Sequence, residues 1–302
     1  MTPAAAAPTA ASVRDPGRTI PDTPRVGTVS APLVDAAGAA AALAGRRVVV
    51  LTGAGLSTDS GIPDYRGPDS PPRSPMTYDE FVSGPAAQRR YWARSHIGWR
   101  RLGNARPNDG HRALTALESA GVVRTLITQN VDGLHGAAGS RAVIDLHGRI
   151  DRVICLGCGA DSSRLDLHHR LHAANPDFAA DPDVRTAPDG DVELEDTSGF
   201  ALVGCRRCGG VLKPDVVFFG ENVPRARVEE VYAAMAQGDA LLVAGSSLTV
   251  MSGLRFVRHA ARLGWPIVVI NRGITRGDPV ATARVDAGCS ETLTAVAERL
   301  NP

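Results

Sequence analysis

Arg47-Val-Val-Val-Leu-Thr-Gly-Ala-Gly-Leu-Ser-Thr-Asp-Ser-Gly61 is the stretch on which the fold turns. Its first half is an apolar, β-branched run stopped by Gly53, the pattern of a short strand buried on both faces. Its second half is a glycine-rich turn. Glycines at 53 and 55 let backbone N–H groups approach a pyrophosphate, and the start of a following helix favours that charge. Thr58 holds the place of the third glycine in G-x-G-x-x-G, so a dehydrogenase fingerprint is incomplete while a dinucleotide stays plausible. The turn alone also fits a tight strand-to-helix connection without a ligand.

Working outward, apolar runs of the same kind recur at 122–128, 143–146, 240–244 and 266–270. Helical patterns lie between and around them at 33–44, 109–120, 225–237, 253–263 and 290–300. Alternating strands and helices predict an α/β, Rossmann-like open parallel sheet with helices on both faces. The alternation breaks between Cys155 and Cys208, where one helical stretch (161–174) precedes a Pro/Asp/Gly-rich segment (175–199). A small inserted module is expected there. The division is a disordered tail over 1–30, a sheet domain from 31–150 and 210–302, and a zinc-binding module over 151–209.

Cys155-x-x-Cys158 and Cys205-x-x-Cys208 are two knuckles, each placing two thiolates on one turn. The N-terminus carries no apolar h-region of a secretory signal, so a reducing compartment is expected and paired cysteines read as metal ligands before disulfides. Four thiolates fill a tetrahedral zinc and leave no open position, so one structural zinc is expected. The competing reading is a nucleic-acid ribbon, for which Arg206 and Arg207 are the only local support. A net charge of +1 gives no electrostatic footprint for nucleic acid, and no apolar run approaches a bilayer span. Lys213 is the only lysine among 33 basic residues, a bias that points to a GC-rich, bacterial coding sequence and, with the missing signal, to the cytoplasm.

Polar residues cluster at the ends of the predicted strands, the edge where α/β sheets bind ligands. Gln129, Asn130 and Asp132 follow the second strand, and amides with a carboxylate suit ribose hydroxyls and a carboxamide. Asn130 or Asp132 could equally cap a helix. Gly245, Ser246 and Ser247 end another strand with residues suited to phosphate or ribose, and Asn271 ends the next. Gly61-Ile-Pro-Asp64-Tyr65-Arg66-Gly67 puts a carboxylate and a guanidinium on a Pro/Gly loop, a common form for a flap over a cofactor. Of eight histidines, His168, His169 and His172 fall on a polar helical stretch and are expected to face solvent, and His111 opens a helix. His135 and His147 are candidates for a base, and periodicity does not choose between them. Cys289 stands alone and reads as a small packing residue before a nucleophile.

Taken in order, Gly53-Ala54-Gly55-Leu-Ser with Gly61-Ile-Pro-Asp-Tyr-Arg66, Thr128-Gln-Asn-Val-Asp-Gly-Leu-His135, Leu146-His-Gly148, the cysteine pairs, Lys213-Pro-Asp-Val-Val-Phe-Phe-Gly-Glu221, Gly245-Ser-Ser247 and Ile270-Asn-Arg-Gly273 resemble the sirtuins across roughly residues 33–300. The resemblance implies an NAD-dependent protein-lysine deacylase. It would consume NAD as co-substrate and yield nicotinamide, free lysine and O-acyl-ADP-ribose. By family position His147 is the general base and acts with Asn130, while His135 is structural. Asp64 and Asp132 line the nicotinamide pocket. Gly53, Ala54, Gly55, Tyr65, Arg66, Gln129, Gly245, Ser246, Ser247, Asn271, Arg272 and Gly273 complete the NAD site, with Cys289 where the backbone meets adenine. Val217, Phe218, Phe219, Gly220, Glu221 and Val250 belong to the two segments that grip an extended acyl-lysine peptide or protein by β-augmentation. Tyr91-Trp-Ala-Arg94, Trp99, Ala187-Pro-Asp-Gly-Asp191 and Lys213-Pro-Asp resemble the class II subgroup with its mitochondrial lipoamidase-like member. Acetyl, longer acyl and lipoyl groups are all open as substrates. The alternatives are a mono-ADP-ribosyltransferase and a non-catalytic NAD or ADP-ribose sensor. A base at His147 argues against the sensor.

Overall fold

The computed structural model describes residues 31–65, 75–102, 104–178, 194 and 196–301, the side chains of 100–102 excepted. The expected tail over 1–30, Arg66 and the segment 187–191 lie outside these residues. Nine strands occur in the described chain: β1 (Val48–Thr52), β2 (Val123–Thr128), β3 (Val143–Asp145), β4 (Gly148–Cys155), β5 (Asp161–Ser163), β6 (Leu212–Val216), β7 (Ala240–Ala244), β8 (Ile267–Ile270) and β9 (Ala283–Val285).

Six of them form one parallel sheet in the order β3-β2-β1-β7-β8-β9. Every residue of β1, β7 and β8 is buried, as a strand covered on both faces requires. Alternate side chains serve opposite faces. Val48 and Val50 pack with Leu43, Leu114, Leu117 and Leu293 from the helices Ala36–Leu43, Asp109–Ser119 and Cys289–Leu300. Val49 and Leu51 pack with Val231, Met235, Phe256 and Val257 from the helices Arg225–Met235 and Met251–Arg262. Each fully buried aliphatic side chain stabilises this arrangement by about 1.5–3 kcal/mol. The predicted Rossmann-like class is therefore the observed one. Strand order reverses between β1, which continues to β2 on one side, and β7 on the other, and this reversal opens a crevice at the carboxyl ends.

The remaining strands form a small antiparallel sheet, β5-β4-β6. It draws on residues either side of 151 and 209, with β4 leaving the large sheet's edge directly after His147. The stretch 161–174 is not helical throughout. Asp161–Ser163 pairs with β4, and only then does Ser163 cap the helix Arg164–Ala174 by accepting from Leu165 N at 3.1 Å. Of the three histidines expected to face solvent here, His168 does not, and a buried arginine accompanies it. Arg164 is fully buried, its guanidinium 5.2 Å from the Trp92 ring centre and 4.9 Å from that of Trp99, and it donates to Ser95 O and Oγ. His168 stacks on buried His96 with ring centres 4.4 Å apart. The cause is tertiary: this helix and the helix Pro85–Leu102 contribute Leu167, Leu171, Tyr91 and Trp92 to one apolar cluster beneath the small sheet. Among the described residues no helix is long and apolar enough to cross a membrane.

Candidate active site

The crevice is a cavity of about 590 Å³ between the carboxyl edge of the large sheet and the loop that follows β6. Gly53, Ala54, Gly55, Asp64, Tyr65, Gln129, Asn130, Asp132, His147, Val217, Phe218, Phe219, Gly220, Glu221, Gly245, Ser246, Ser247, Val250, Asn271, Arg272 and Gly273 all line it. Cys289 is the described candidate that does not. Its side chain is buried in the apolar core at the start of the last helix, its Sγ 3.8 Å from Ile270 O, and burial pushes the thiol up to about 12. It is a packing residue there.

The glycines of the first turn are required by a contact between two loops. A methyl group at Gly53 would stand 2.8 Å from Gly245 O, and one at Gly245, whose φ is +65°, would stand 2.3 Å from Leu56 N. The N–H groups of Gly53 and Gly55 both donate to protein, to Ala244 O at 3.0 Å and Gly245 O at 2.9 Å. The N–H groups of these two glycines are thus satisfied within the protein. Their smallness lets the turns after β1 and β7 close on each other, and the joined turns form the crevice floor.

The segment after β2 is fixed by a dense polar net. Gln129 Nε2 donates to Thr52 O at 3.1 Å and Ser246 Oγ at 2.9 Å, which ties β2 across β1 to β7. Asn130 Nδ2 donates to Gly53 O at 3.0 Å and Ser57 Oγ at 3.1 Å. Ser57 in turn donates to Asp132 Oδ2 at 2.7 Å, while Asp132 Oδ1 accepts from Leu134 N at 2.9 Å. Asp132 therefore lines the pocket and opens the short helix Leu134–Ala137 at once. Burial pushes its carboxyl above the usual range, against the pull of Leu134 N–H, the Ser57 hydroxyl and Arg149.

The two candidate bases now separate. His135 is buried away from the cavity, with Nε2 2.9 Å from Thr52 Oγ1 and the His111 ring 4.8 Å away, and burial holds it neutral. His111 forms a capping box with Asn108 at the start of Asp109–Ser119. His147 faces the cavity. Its Nδ1 lies 3.0 Å from Gln129 O and its Nε2 2.8 Å from Ser252 Oγ. A carbonyl only accepts, so Nδ1 carries the hydrogen and Nε2 presents its lone pair toward the pocket side. Burial lowers the imidazole to about 4, the Gln129 carbonyl opposes this and Arg227 adds to it. Gly148 follows with φ +79°, and a methyl group there would stand 1.9 Å from Asp215 O, so only glycine lets β4 leave at this point.

Several pocket residues escape the sequence reading. Ser57 lies inside the quoted turn and was within reach of it. Ser252 is in the first turn of a helix that begins at Met251 rather than 253, and nothing local joins it to His147. Ile62, Met76 and Val131 line the cavity with apolar surface and pack in one cluster with Val216 and Phe218, and Thr249 and Arg255 line it too.

The four cysteines meet as their spacing requires. Cys155 Sγ is 3.5 Å from Cys208 Sγ, Cys158 Sγ is 3.8 Å from Cys205 Sγ, and all four sulfurs lie within 4.8 Å of one another. A disulfide needs about 2.05 Å. Sulfurs about 2.3 Å from a tetrahedral zinc stand about 3.8 Å apart, so the set fits that ion. Arg207 N–H and Gly210 N–H point at Cys205 Sγ and Cys208 Sγ, each at 3.4 Å, as expected for thiolate acceptors.

The Sir2 family model matches residues 53–252. The chain is 58% identical over 266 residues to NAD-dependent protein deacetylase 1 of Mycobacterium avium (strain 104), covering 87% of this chain and 94% of that protein. It is 54% identical over 270 residues to NAD-dependent protein deacetylase 1 of Streptomyces coelicolor, covering 88% and 90%. A solved Sir2–p53 peptide–NAD+ complex superposes with a TM-score of 0.67 at 30% identity, covering 88% of this chain and 98% of that one. A Sir2 homologue–NAD complex gives 0.67 at 28% identity, covering 90% and 95%. Motif order, sheet topology, pocket and cysteine cluster agree with these matches, and the chain belongs to the Sir2 family.

Proposed function

We propose that the chain is an NAD-dependent protein-lysine deacylase that passes the acyl group to ADP-ribose, with nicotinamide and free lysine as the other products. The observation that carries the reading is the position of His147. A neutral imidazole, its Nε2 lone pair on the pocket side and met by the Ser252 hydroxyl, stands where the dinucleotide-side loops (53–55, 245–247, 271–273) and the peptide-side loop (216–221) share one cavity. The names of the curated relatives, NAD-dependent protein deacetylases, support the same chemistry.

In this reading Asn130, Asp132 and Asp64 hold the nicotinamide end of NAD, and the hydroxyls of Ser246 and Ser247 with Asn271 hold ribose and phosphate. The acyl-lysine enters between the 216–221 loop and Val250. The acyl-lysine carbonyl oxygen displaces nicotinamide from the ribose carbon to give an alkylimidate. His147 Nε2 then takes the proton from a ribose hydroxyl as that oxygen attacks the imidate carbon, a step suited to a neutral imidazole, and with water the lysine amine leaves. Nδ1–H stays on Gln129 O and keeps the ring in that tautomer. The four-cysteine zinc braces the module and takes no part. Ile62, Met76, Val131 and Phe218 offer apolar surface for an acyl chain. This supports a class II, lipoamidase-like range extending from acetyl to longer acyl or lipoyl groups.

The test is nicotinamide release from NAD with a panel of acyl-lysine peptides, zinc-loaded protein and His147→Ala as control. Release that depends on the acyl peptide is expected. No release with any peptide would sink the deacylase reading. Label from NAD lodged covalently on protein would shift it to ADP-ribosyl transfer.

A further inference from the structure

The one lysine of a chain that otherwise uses arginine lies under the peptide-side loop. Lys213 stands on β6 with its side chain 4% exposed. Its Nζ is 3.0 Å from Glu221 Oε2, donates to Val216 O and to Pro214 O at 3.3 Å, and lies 4.6 Å from the Phe218 ring centre. An ammonium has three N–H donors, and three acceptors converge on this one. Glu221 Oε2 also accepts from Phe218 N at 2.8 Å, and Glu221 N donates to Phe218 O at 3.0 Å. The carboxylate thus closes the turn 218–221, in which Gly220 has φ +80°.

This turn is held at three places. Val217 N donates to His147 O at 2.8 Å, and Tyr78 N donates to Phe219 O at 2.9 Å. Those two bonds are between backbones and would be available to many sequences. The third is the Lys213–Glu221 pair, which depends on side chains. A buried ammonium that loses its carboxylate, or the reverse, is strongly unfavourable, so the pair holds the turn in one geometry. Coding bias favours arginine throughout this chain, and the one lysine stands where three acceptors and an aromatic face surround a buried positive charge.

We infer that Lys213 is a positioning residue for substrate capture: through Glu221 it sets the 216–221 turn that receives the acyl-lysine peptide, without touching the NAD side of the cavity. This rests on the deacylase reading above. It implies that the grip on peptide and the grip on NAD can be uncoupled by one substitution remote from both.

The test compares wild type, Lys213→Met, Lys213→Arg and Glu221→Gln. Lys213→Met is expected to raise the KM for acyl peptide at least tenfold, with the calorimetric Kd for NAD within twofold of wild type. Lys213→Arg keeps the charge and is expected to restore the peptide KM to within about threefold. Glu221→Gln is expected to raise peptide KM as Lys213→Met does. If Lys213→Met fails to fold, Glu221→Gln and Lys213→Arg decide between the outcomes, and an unchanged KM in Glu221→Gln overturns the inference. A fall in NAD affinity parallel to the rise in peptide KM overturns it too, since that is the mark of general destabilisation. The single lysine adds a spectroscopic readout: lysine-selective 13Cε labelling of wild type gives one signal. Acyl peptide is expected to move that signal and NAD alone to leave it in place. A signal blind to peptide counts against the inference. Wild type that releases no nicotinamide would instead remove the deacylase reading itself.

Discussion

The two sheets are held together by different physics. In the large sheet, β1, β7 and β8 are buried along their whole length between two apolar layers, so the strands carry their own stabilisation. In the small sheet, β5 is Asp161-Ser-Ser163, exposed at both ends, and β4 fully buries only Gly148, Ile150, Val153 and Cys155, with Arg152 exposed. Cys155 and Cys205 sit inside the apolar cluster there, and Cys208 is exposed. What apolar burial does for the first sheet, a metal does for part of the second. The cavity lies on the seam: the wall that the proposed function gives to the dinucleotide comes from the self-supporting sheet, and the wall it gives to the peptide follows β6 of the braced one. Each wall should therefore fail under a different insult.

The largest effect is expected from metal removal. Structural zinc in small domains contributes about 10–16 kcal/mol at neutral pH. Chelation, or Cys155→Ser with Cys208→Ser, should unfold the small sheet and abolish peptide turnover. Large-sheet secondary structure and NAD binding should largely persist. Circular dichroism, NAD calorimetry and metal analysis of the same samples check this. Equal loss of NAD binding would mean that the two walls are not independent.

His147→Ala cuts at the seam itself. General-base catalysis is worth about 10²–10⁴-fold, and a fall of that size in turnover is expected with the melting temperature near wild type. A fall below tenfold would point to another base. His135→Ala should do the opposite, lowering stability through the loss of its bond to Thr52 inside the large-sheet side.

Acid should attack the large-sheet side. His111 is fully buried and lowered to about 4 by burial first and by Arg112 second. In the unfolded chain its pKa is about 6.5, so between pH 6.5 and 4 the unfolded state binds the extra proton. The folded state accordingly loses stability as pH falls through that window, by about 2 kcal/mol from this residue at pH 5. Urea titrations at pH 7.5 and 5.0 measure the loss, and His111→Asn should flatten the slope by about that amount.

How far the sequence speaks follows the same division. Five strands of the large sheet are legible as apolar runs because burial writes itself that way, while β9 is missed because Ala-Arg-Val is three residues long with a charged centre. The zinc ligands are legible because two thiolates on one turn need a fixed spacing. β5 is not, because Asp161-Ser-Ser163 has no apolar face and is a strand only through its pairing with β4. His168 reads as solvent-facing, and Arg164 gives no sign of burial, because their surroundings are imposed by Trp92, Trp99 and His96 from a helix some seventy residues away. His135 and His147 look alike in sequence, and only the partner on each Nε2 separates them: Thr52 in the interior for one, Ser252 at the pocket for the other.

That last contact carries the smallest expected effect. Ser252 Oγ lies 2.8 Å from His147 Nε2 and, with Nδ1 donating to Gln129 O, the serine hydroxyl is the donor. A hydrogen bond donated to the lone pair favours the neutral ring, the direction in which burial already moves it. It also occupies the atom that a ribose hydroxyl must reach. Ser252→Ala removes both effects. The ring stays oriented by Gln129, so turnover at neutral pH should remain within about threefold of wild type, the scale of one neutral hydrogen bond at about 1 kcal/mol. The pKa should move upward, toward the ordinary imidazole value, and the acid limb of kcat/KM should move to higher pH by less than one unit. A limb that moves to lower pH would show that Ser252 accepts from the ring rather than donating to it, and would reverse the tautomer assigned to His147.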